Sequence, residues 1–296
     1  MPFTGVFAPL PTPFDEQDRV DTARLRAAFP RWLASRLAGF VMLGSSGEAV
    51  LLDEDESDRV VAAARELVPR GRPLVAGVGR ESTQATVRAA RRAAALGADA
   101  VIVRTPGFYK PQMDEDAFVR HYTAVADASP VPILLYNFTA ATGVTLPAAA
   151  VSRLAAHPNI AGMKESGSDT ARVAALVSAA PPPFSILAGS SSTFFEALSA
   201  GAAGGILALA SVLPDACVRL FDLARQQRAD EAAALQRQLA PVSRLIGPVY
   251  GIAGLKAALR LAGCDVGLPR PPLAPVSADG IAVLQEALAA FQDVAA

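Results

Sequence analysis

The chain is poor in the residues that do metal and redox chemistry. Two cysteines, Cys217 and Cys264, and two histidines, His121 and His157, are all it has in 296 residues. The cysteines lie far apart, in or beside helix-like segments, so they read as buried thiols in a reducing compartment rather than a staple or a metal site. His157 falls in the loop His157-Pro158-Asn159 and His121 in an amphipathic helix. Without a carboxylate cluster beside them they make no metal site, so the expected chemistry uses neither metal nor cofactor. Charge is sparse and balanced: 19% of residues are charged and the formal net charge is −1. That excludes the basic face of a nucleic-acid-binding protein. No apolar run reaches membrane-spanning length without Gly, Pro or charge. The start, Met1 to Leu10, lacks the basic n-region and long apolar core of a signal peptide. The expectation is a cytoplasmic chain with no membrane and no nucleic-acid partner. Its apolar fraction of 52% is ample for a large core.

Lysine is the most telling scarcity. Of 27 basic residues only three are lysines, Lys110, Lys164 and Lys256, so 24 are arginine. Lys164 ends the apolar stretch Ile160-Ala161-Gly162-Met163-Lys164. A desolvated ammonium is costly, and burial favours the neutral amine. A neutral amine attacks carbonyl carbon, which arginine cannot do. The bland reading is a lysine that snorkels to the surface at a strand end.

Short runs rich in Val, Ile and Leu alternate with longer Ala/Arg/Leu segments of helical period. Eight such runs precede residue 212: Val6–Leu10, Phe40–Leu43, Leu74–Val78, Ala100–Val103, Ile133–Tyr136, Ile160–Lys164, Ser185–Ala188 and Gly205–Leu209. Helical patterns between them include Asp21–Leu37, Asp53–Val68, Ser82–Leu96, Asp114–Ala128 and Asp169–Ala179. Near-continuous apolar strands alternating with helices predict a parallel sheet covered by helices. Eight units fit an α/β fold of the (β/α)₈ TIM-barrel type. A doubly wound sheet is the alternative, but no Gly-x-Gly-x-x-Gly follows the first strand. Beyond the eighth run the pattern is purely helical: Asp215–Arg225, Asp230–Ile246, Ile252–Leu261 and Ala278–Phe291. The expected organisation is a barrel over 1–225, with 226–296 as a C-terminal three-helix extension of the same domain. Pro269-Arg270-Pro271-Pro272 reads as a loop between the last two helices.

Active sites of such barrels lie at the C-terminal ends of the strands. The second run ends in Gly44-Ser45-Ser46-Gly47-Glu48, the fourth in Thr105-Pro106-Gly107-Phe108-Tyr109, and the fifth in Tyr136-Asn137. The sixth ends in Lys164-Glu165-Ser166-Gly167 and the seventh in Gly189-Ser190-Ser191-Ser192. Hydroxyls and N–H groups between Gly44 and Gly47 can hold a small carboxylate; the plain alternative is an ordinary turn. Glu48 reads better as a brace for the loop or the next helix than as an anion ligand. Tyr136 can shuttle protons for a nearby amine, or pack as a core tyrosine whose hydroxyl finds a backbone acceptor. Tyr109 has the same two readings.

Gly44-Ser45-Ser46-Gly47-Glu48, Tyr136-Asn137 and Gly162-Met163-Lys164 together resemble the dihydrodipicolinate synthase / N-acetylneuraminate lyase family, in order and at similar spacing over essentially the whole chain. The resemblance implies a (β/α)₈ barrel with a helical extension, a pyruvate Schiff base on the strand-six lysine, and a homo-oligomer, a tetramer or dimer. It gives Lys164 the Schiff-base role, Tyr136 general acid/base work, and Ser45 a place in a hydroxyl relay. Ser46, with Gly47, would bind the keto-acid carboxylate. Tyr109 would complete the relay in the site of a neighbouring subunit. Ser166, Gly189 and Ser190 would serve the rest of the substrate, with the two serines at its aldehyde end.

Departures from the family pattern sharpen this reading. Synthases of the family carry an arginine before Thr-Gly in the loop after the strand-five tyrosine; here Ala141 precedes Thr142-Gly143. Alanine cannot make the bidentate carboxylate contact. Sialic acid lyases place acids after strand seven, where this chain has Ser190-Ser191-Ser192. Glu81–Val87, His121–Thr123, His157–Ile160, Lys164–Gly167 and Gly251–Lys256 look closer to the 4-hydroxy-2-oxoglutarate aldolases. The expectation is a class I aldolase on a 2-oxo acid, with the synthase or a 2-keto-3-deoxy sugar-acid aldolase as alternatives.

Overall fold

Eight short strands close into a parallel barrel in the computed structural model, which describes residues 3–180 and 182–295. They are β1 (Gly5–Pro9), β2 (Gly39–Met42), β3 (Leu74–Gly77), β4 (Ala100–Arg104), β5 (Ile133–Asn137), β6 (Ile160–Glu165), β7 (Ser185–Ala188) and β8 (Gly204–Ile206). Each strand pairs with the next, and β8 returns to β1 through Gly5↔Gly204, Val6↔Gly205 and Phe7↔Ile206. The architecture is the (β/α)₈ TIM barrel expected from the run pattern. Its strands are buried on both faces, which is why they lack polar alternation.

Two apolar cores follow from the period-2 geometry of the strands. One fills the barrel: Phe7, Val41, Val75, Ile102, Leu134, Tyr136, Leu187 and Ile206 touch one another inside it. The other lies between strands and helices and takes the alternate residues, such as Phe40, Val101, Leu135 and Met163. Met163 faces the helices, so the next residue, Lys164, turns to the barrel interior. The β5–β6 register sets Tyr136 opposite Lys164 and Asn137 opposite Glu165.

Helix starts follow local chemistry. Asp53 accepts from Glu56 N–H, and the Glu56 carboxylate accepts from Asp53 N–H, closing a capping box on the helix Glu54–Leu67. Asp21, Ser82, Asp114 and Asp169 cap their helices in the same acceptor role. The run read as Gly205–Leu209 is a strand only to Ile206; Leu209–Val212 is already helical. Helices Ala148–Ala155 and Phe194–Ser199, unnamed in the sequence reading, are too short to display a period. The segment read as Asp230–Ile246 is helical over Ala229–Arg244, then loosens into a π turn, Leu245–Val249, around Pro248, which has no N–H to give. Helices Gly251–Leu261 and Ala278–Ala295 complete the extension. Cys217 and Cys264 are buried free thiols, and burial pushes the Cys217 thiol well above its ordinary range. Among the described residues no helix is long and apolar enough to cross a membrane.

Candidate active site

Lys164 is 8% exposed and its Nζ lies 3.5 Å from the Tyr136 hydroxyl and 4.5 Å from the centre of that ring. Tyr136, 5% exposed, stands 3.1 Å from the Ser45 hydroxyl. Amine, phenol and hydroxyl thus form a continuous row from β6 across β5 to the loop after β2. Among the described residues no carboxylate comes within ion-pair distance of Lys164. A face of an aromatic ring and a hydroxyl are partners an amine can leave to attack a carbonyl; a buried carboxylate would hold it as an ammonium.

The strand ends around this row are shaped for close approach. A Cβ on Gly189 would come within 2.8 Å of Lys164 Cε and 2.2 Å of Ser166 Oγ, so only glycine fits beside them. Lys164, Ser166 and Gly189 are therefore brought together. Ser190 instead pairs with Ser192 through their hydroxyls (3.0 Å), and Gln236 Nε2 holds this loop by donating to the Ser191 and Ser192 carbonyls.

The Ser45–Gly47 segment is a tight 3₁₀ turn entered at Leu43 (φ 57°) and left at Glu48 (φ 55°), both left-handed. Gly47 N–H donates to the Gly44 carbonyl and Glu48 N–H to that of Ser45. The Gly47 carbonyl accepts from Thr12 Oγ1 at 2.6 Å. Gly47, expected to help bind the carboxylate, has both backbone groups occupied. The N–H groups of Ser45 and Ser46 are the donors no hydrogen bond among the described residues uses.

Glu48 is bound elsewhere. It is 2% exposed, lies 2.7 Å from Lys256 Nζ and accepts from Arg270 N–H at 2.8 Å. Arg270 in turn donates to both Glu56 oxygens and to the Leu51 carbonyl. The serine loop is thus clamped to the C-terminal extension.

A second network was not anticipated from the sequence. Glu165, 1% exposed, accepts from Asn137 Nδ2 (3.0 and 2.9 Å), Arg172 Nε (2.8 Å) and Gly167 N–H (2.8 Å). Asn137 Oδ1 accepts from Leu146 N–H, and Arg172 donates to the Leu146 carbonyl. This cluster locks together the residues immediately after Tyr136 and Lys164. The signal for it was an acid directly after an apolar run, opposite an amide at the same strand register.

Tyr109 is 67% exposed, packs edge-on against Phe108 (5.1 Å), and its hydroxyl makes no hydrogen bond among the described residues. Within one chain it is not joined to Ser45. A cleft of about 700 Å³ opens from Ser45 and Tyr136. Phe108, Lys110 and Ala141 line it too, with Arg80, Glu81 and Arg104. Burial pulls the Arg80 guanidinium below its ordinary range. Burial opposes the charge on Glu81 too, but Arg104 and the N–H groups of Phe108 and Gly107 outweigh it and hold the carboxyl below its usual range. The glycines Gly204-Gly205, which a phosphate site would use, are explained by packing. A Cβ on Gly204 would meet the Gly5 carbonyl at 2.0 Å, and the next helix has only four residues.

Known proteins resemble this chain in sequence and fold. Residues 2–291 match the model of the "Dihydrodipicolinate synthetase family". A 4-hydroxy-tetrahydrodipicolinate synthase of Xanthomonas axonopodis pv. citri is 38% identical over 94% of this chain and 91% of its own. The Emericella nidulans protein named "Probable 4-hydroxy-2-oxoglutarate aldolase, mitochondrial" is 35% identical over 96% and 93%. The solved structure of an E. coli K12 prophage protein of the dihydrodipicolinic acid synthase family, in complex with pyruvate, superposes with a TM-score of 0.91 at 27% identity, covering 98% of this chain and 99% of that one. With a family model matched along almost its full length, this barrel is an enzyme of the dihydrodipicolinate synthetase family.

Proposed function

We propose that the protein is a pyruvate-forming Schiff-base aldolase acting on 4-hydroxy-2-oxoglutarate or a related 2-keto-4-hydroxy acid. The carrying observation is the row Lys164–Tyr136–Ser45 beside a loop with Ala141 in place of the synthase arginine. Lys164 Nζ adds to the C2 ketone, water leaves, and a protonated imine forms. Tyr136 takes the C4 hydroxyl proton, the C3–C4 bond breaks, and its electrons pass into the imine to give an enamine. The aldehyde, glyoxylate for 4-hydroxy-2-oxoglutarate, departs. Protonation at C3 and hydrolysis release pyruvate and return the amine. Ser45 relays protons with Tyr136, while Ser46 and the free N–H groups of Ser45 and Ser46 hold the substrate's C1 carboxylate. Gly189 borders Lys164, and Ser166 and Ser190 serve the aldehyde end.

The enzyme works in the cytoplasm as a homo-oligomer, a dimer or tetramer, in which the exposed Tyr109 reaches a neighbouring site. Residues 1–225 and 226–296 act as one domain, since the Glu48–Lys256 and Glu56–Arg270 pairs tie them together. The 38% identity to a synthase favours a second reading, condensation of pyruvate with aspartate semialdehyde. Losing a charge-assisted carboxylate contact costs roughly 1.5–3 kcal/mol, or about 10- to 100-fold in kcat/KM. The test compares kcat/KM for aldol cleavage of 4-hydroxy-2-oxoglutarate and for that condensation on one preparation. Cleavage should win by at least that margin; efficient condensation with negligible cleavage supports the second reading instead.

A further inference from the structure

The arginine position is empty in the sequence, yet the cleft has cations, and they are not equivalent. Arg104 is paired with Glu81 at 2.7 Å. Arg80 is half-buried and donates to its neighbouring Gly79 carbonyl. Lys110 is exposed, lines the cleft, and has no carboxylate within ion-pair distance among the described residues. It also stands in a specific place. The loop after β4 is held by Glu81, which accepts from Gly107 N–H and Phe108 N–H at 3.0 and 2.9 Å. It is pressed onto the loop after β5: Thr105 Oγ1 donates to Thr142 Oγ1 at 3.1 Å, and a Cβ on Gly107 would fall 2.6 Å from the Thr142 carbonyl. Lys110 lies across the joint, with Nζ 2.6 Å from where a Cβ of Gly143 would be. Gly143 takes φ 69° and ends the turn Thr139–Thr142 that contains Ala141.

We propose that Lys110 is a specificity-determining residue that binds the distal carboxylate of a five-carbon 2-oxo dicarboxylate. Its ammonium, delivered from the β4 loop, stands two residues from Ala141 and replaces the missing guanidinium as a point charge. Gly143 is part of the device, because any side chain there would meet the ammonium. An exposed ammonium selects a carboxylate by Coulomb attraction and is screened by salt. The inference rests on the Schiff-base reading and extends it from 2-keto acids in general to diacids in particular.

A test independent of turnover uses borohydride trapping of imines. 2-Oxoglutarate and 2-oxopentanoate have equal chain length and differ by one carboxylate, and pyruvate serves as the reference for each variant. The native protein should trap 2-oxoglutarate at lower concentration than 2-oxopentanoate by about tenfold, the scale of one charge-assisted contact. That preference should shrink in 0.5 M salt, vanish in Lys110→Met and survive in part in Lys110→Arg. Gly143→Ala should weaken it as well. Equal trapping of the two acids by the native protein, or an undiminished preference in Lys110→Met, overturns the role of Lys110 while leaving the Schiff-base reading intact. No trapping with pyruvate either would overturn both.

Discussion

Two lysines of this chain are buried, and their surroundings differ in one decisive respect. Lys256 is 1% exposed, sits 4.3 Å over the Phe14 ring, donates to the Leu268 carbonyl and is paired with Glu48 at 2.7 Å. Lys164 is 8% exposed and sits 4.5 Å over the Tyr136 ring, but has a phenol oxygen where Lys256 has a carboxylate. Burial lowers the Lys256 ammonium below its ordinary range, and Glu48 works against that shift. Depth in the protein therefore does not separate the two buried amines; the carboxylate partner of Lys256 does. Lys256 is a clamp between the serine loop and the extension, and Lys164 is the amine that the proposed Schiff-base chemistry would use.

The largest effect expected from this contrast is on turnover. Lys164→Met and Lys164→Arg should each lower aldol cleavage by about 10⁴-fold or more, the scale of a lost nucleophile. Lys164→Met should change unfolding free energy by no more than about 1 kcal/mol, because no partner charge is stranded. Lys256→Met should do the reverse. It leaves the Glu48 carboxylate buried and alone, at a cost of about 3–5 kcal/mol, and adding Glu48→Gln should recover much of that. Urea unfolding of the three variants decides; equal stability losses at both lysines would erase the distinction.

His121 supplies a third buried base and extends the comparison to pH. Its Nδ1 meets the Thr83 hydroxyl at 2.9 Å, and burial pulls its pKa from 6.5 down to about 4. The folded value lies below the unfolded one, so the unfolded chain binds the extra proton first. The contribution is fully present above pH 6.5 and is lost as pH falls toward about 4, amounting to about 3 kcal/mol. His121→Leu should flatten the stability profile between those limits; an unchanged slope would show that another group carries it. A smaller effect is due at the phenol. Tyr136→Phe should lower kcat by about 10²-fold while imine trapping on Lys164 persists, whereas unchanged turnover would leave Tyr136 a packing residue.

What the sequence disclosed about these sites follows from how local each signal is. Lys164 and Tyr136 were legible because strand period and the strand-end rule need only their own runs. The clamp was not. Lys256 sits in an apolar helix, and Arg270 lies in a proline-rich loop 222 positions from Glu48. Only the packing of the extension against the barrel brings them together. The Asn137–Glu165–Arg172 network needed the β5–β6 register, which no single run contains. The contact of Lys110 with Gly143 depends on two loops docking, each of which reads alone as an ordinary turn. Gly47 shows the opposite case: a glycine in a promising motif whose N–H closes the turn and whose carbonyl accepts from Thr12.

Reductive trapping tests the reactive amine most directly. Native protein incubated with pyruvate and borohydride, then digested and mapped by mass spectrometry, should carry one N-(1-carboxyethyl) group, on Lys164, with Lys110 and Lys256 unmodified. Loss of the adduct in Lys164→Arg but not in Lys256→Met completes the prediction. An adduct that persists in Lys164→Arg, or that maps to Lys256, would contradict the assignment of Lys164 as the Schiff-base residue.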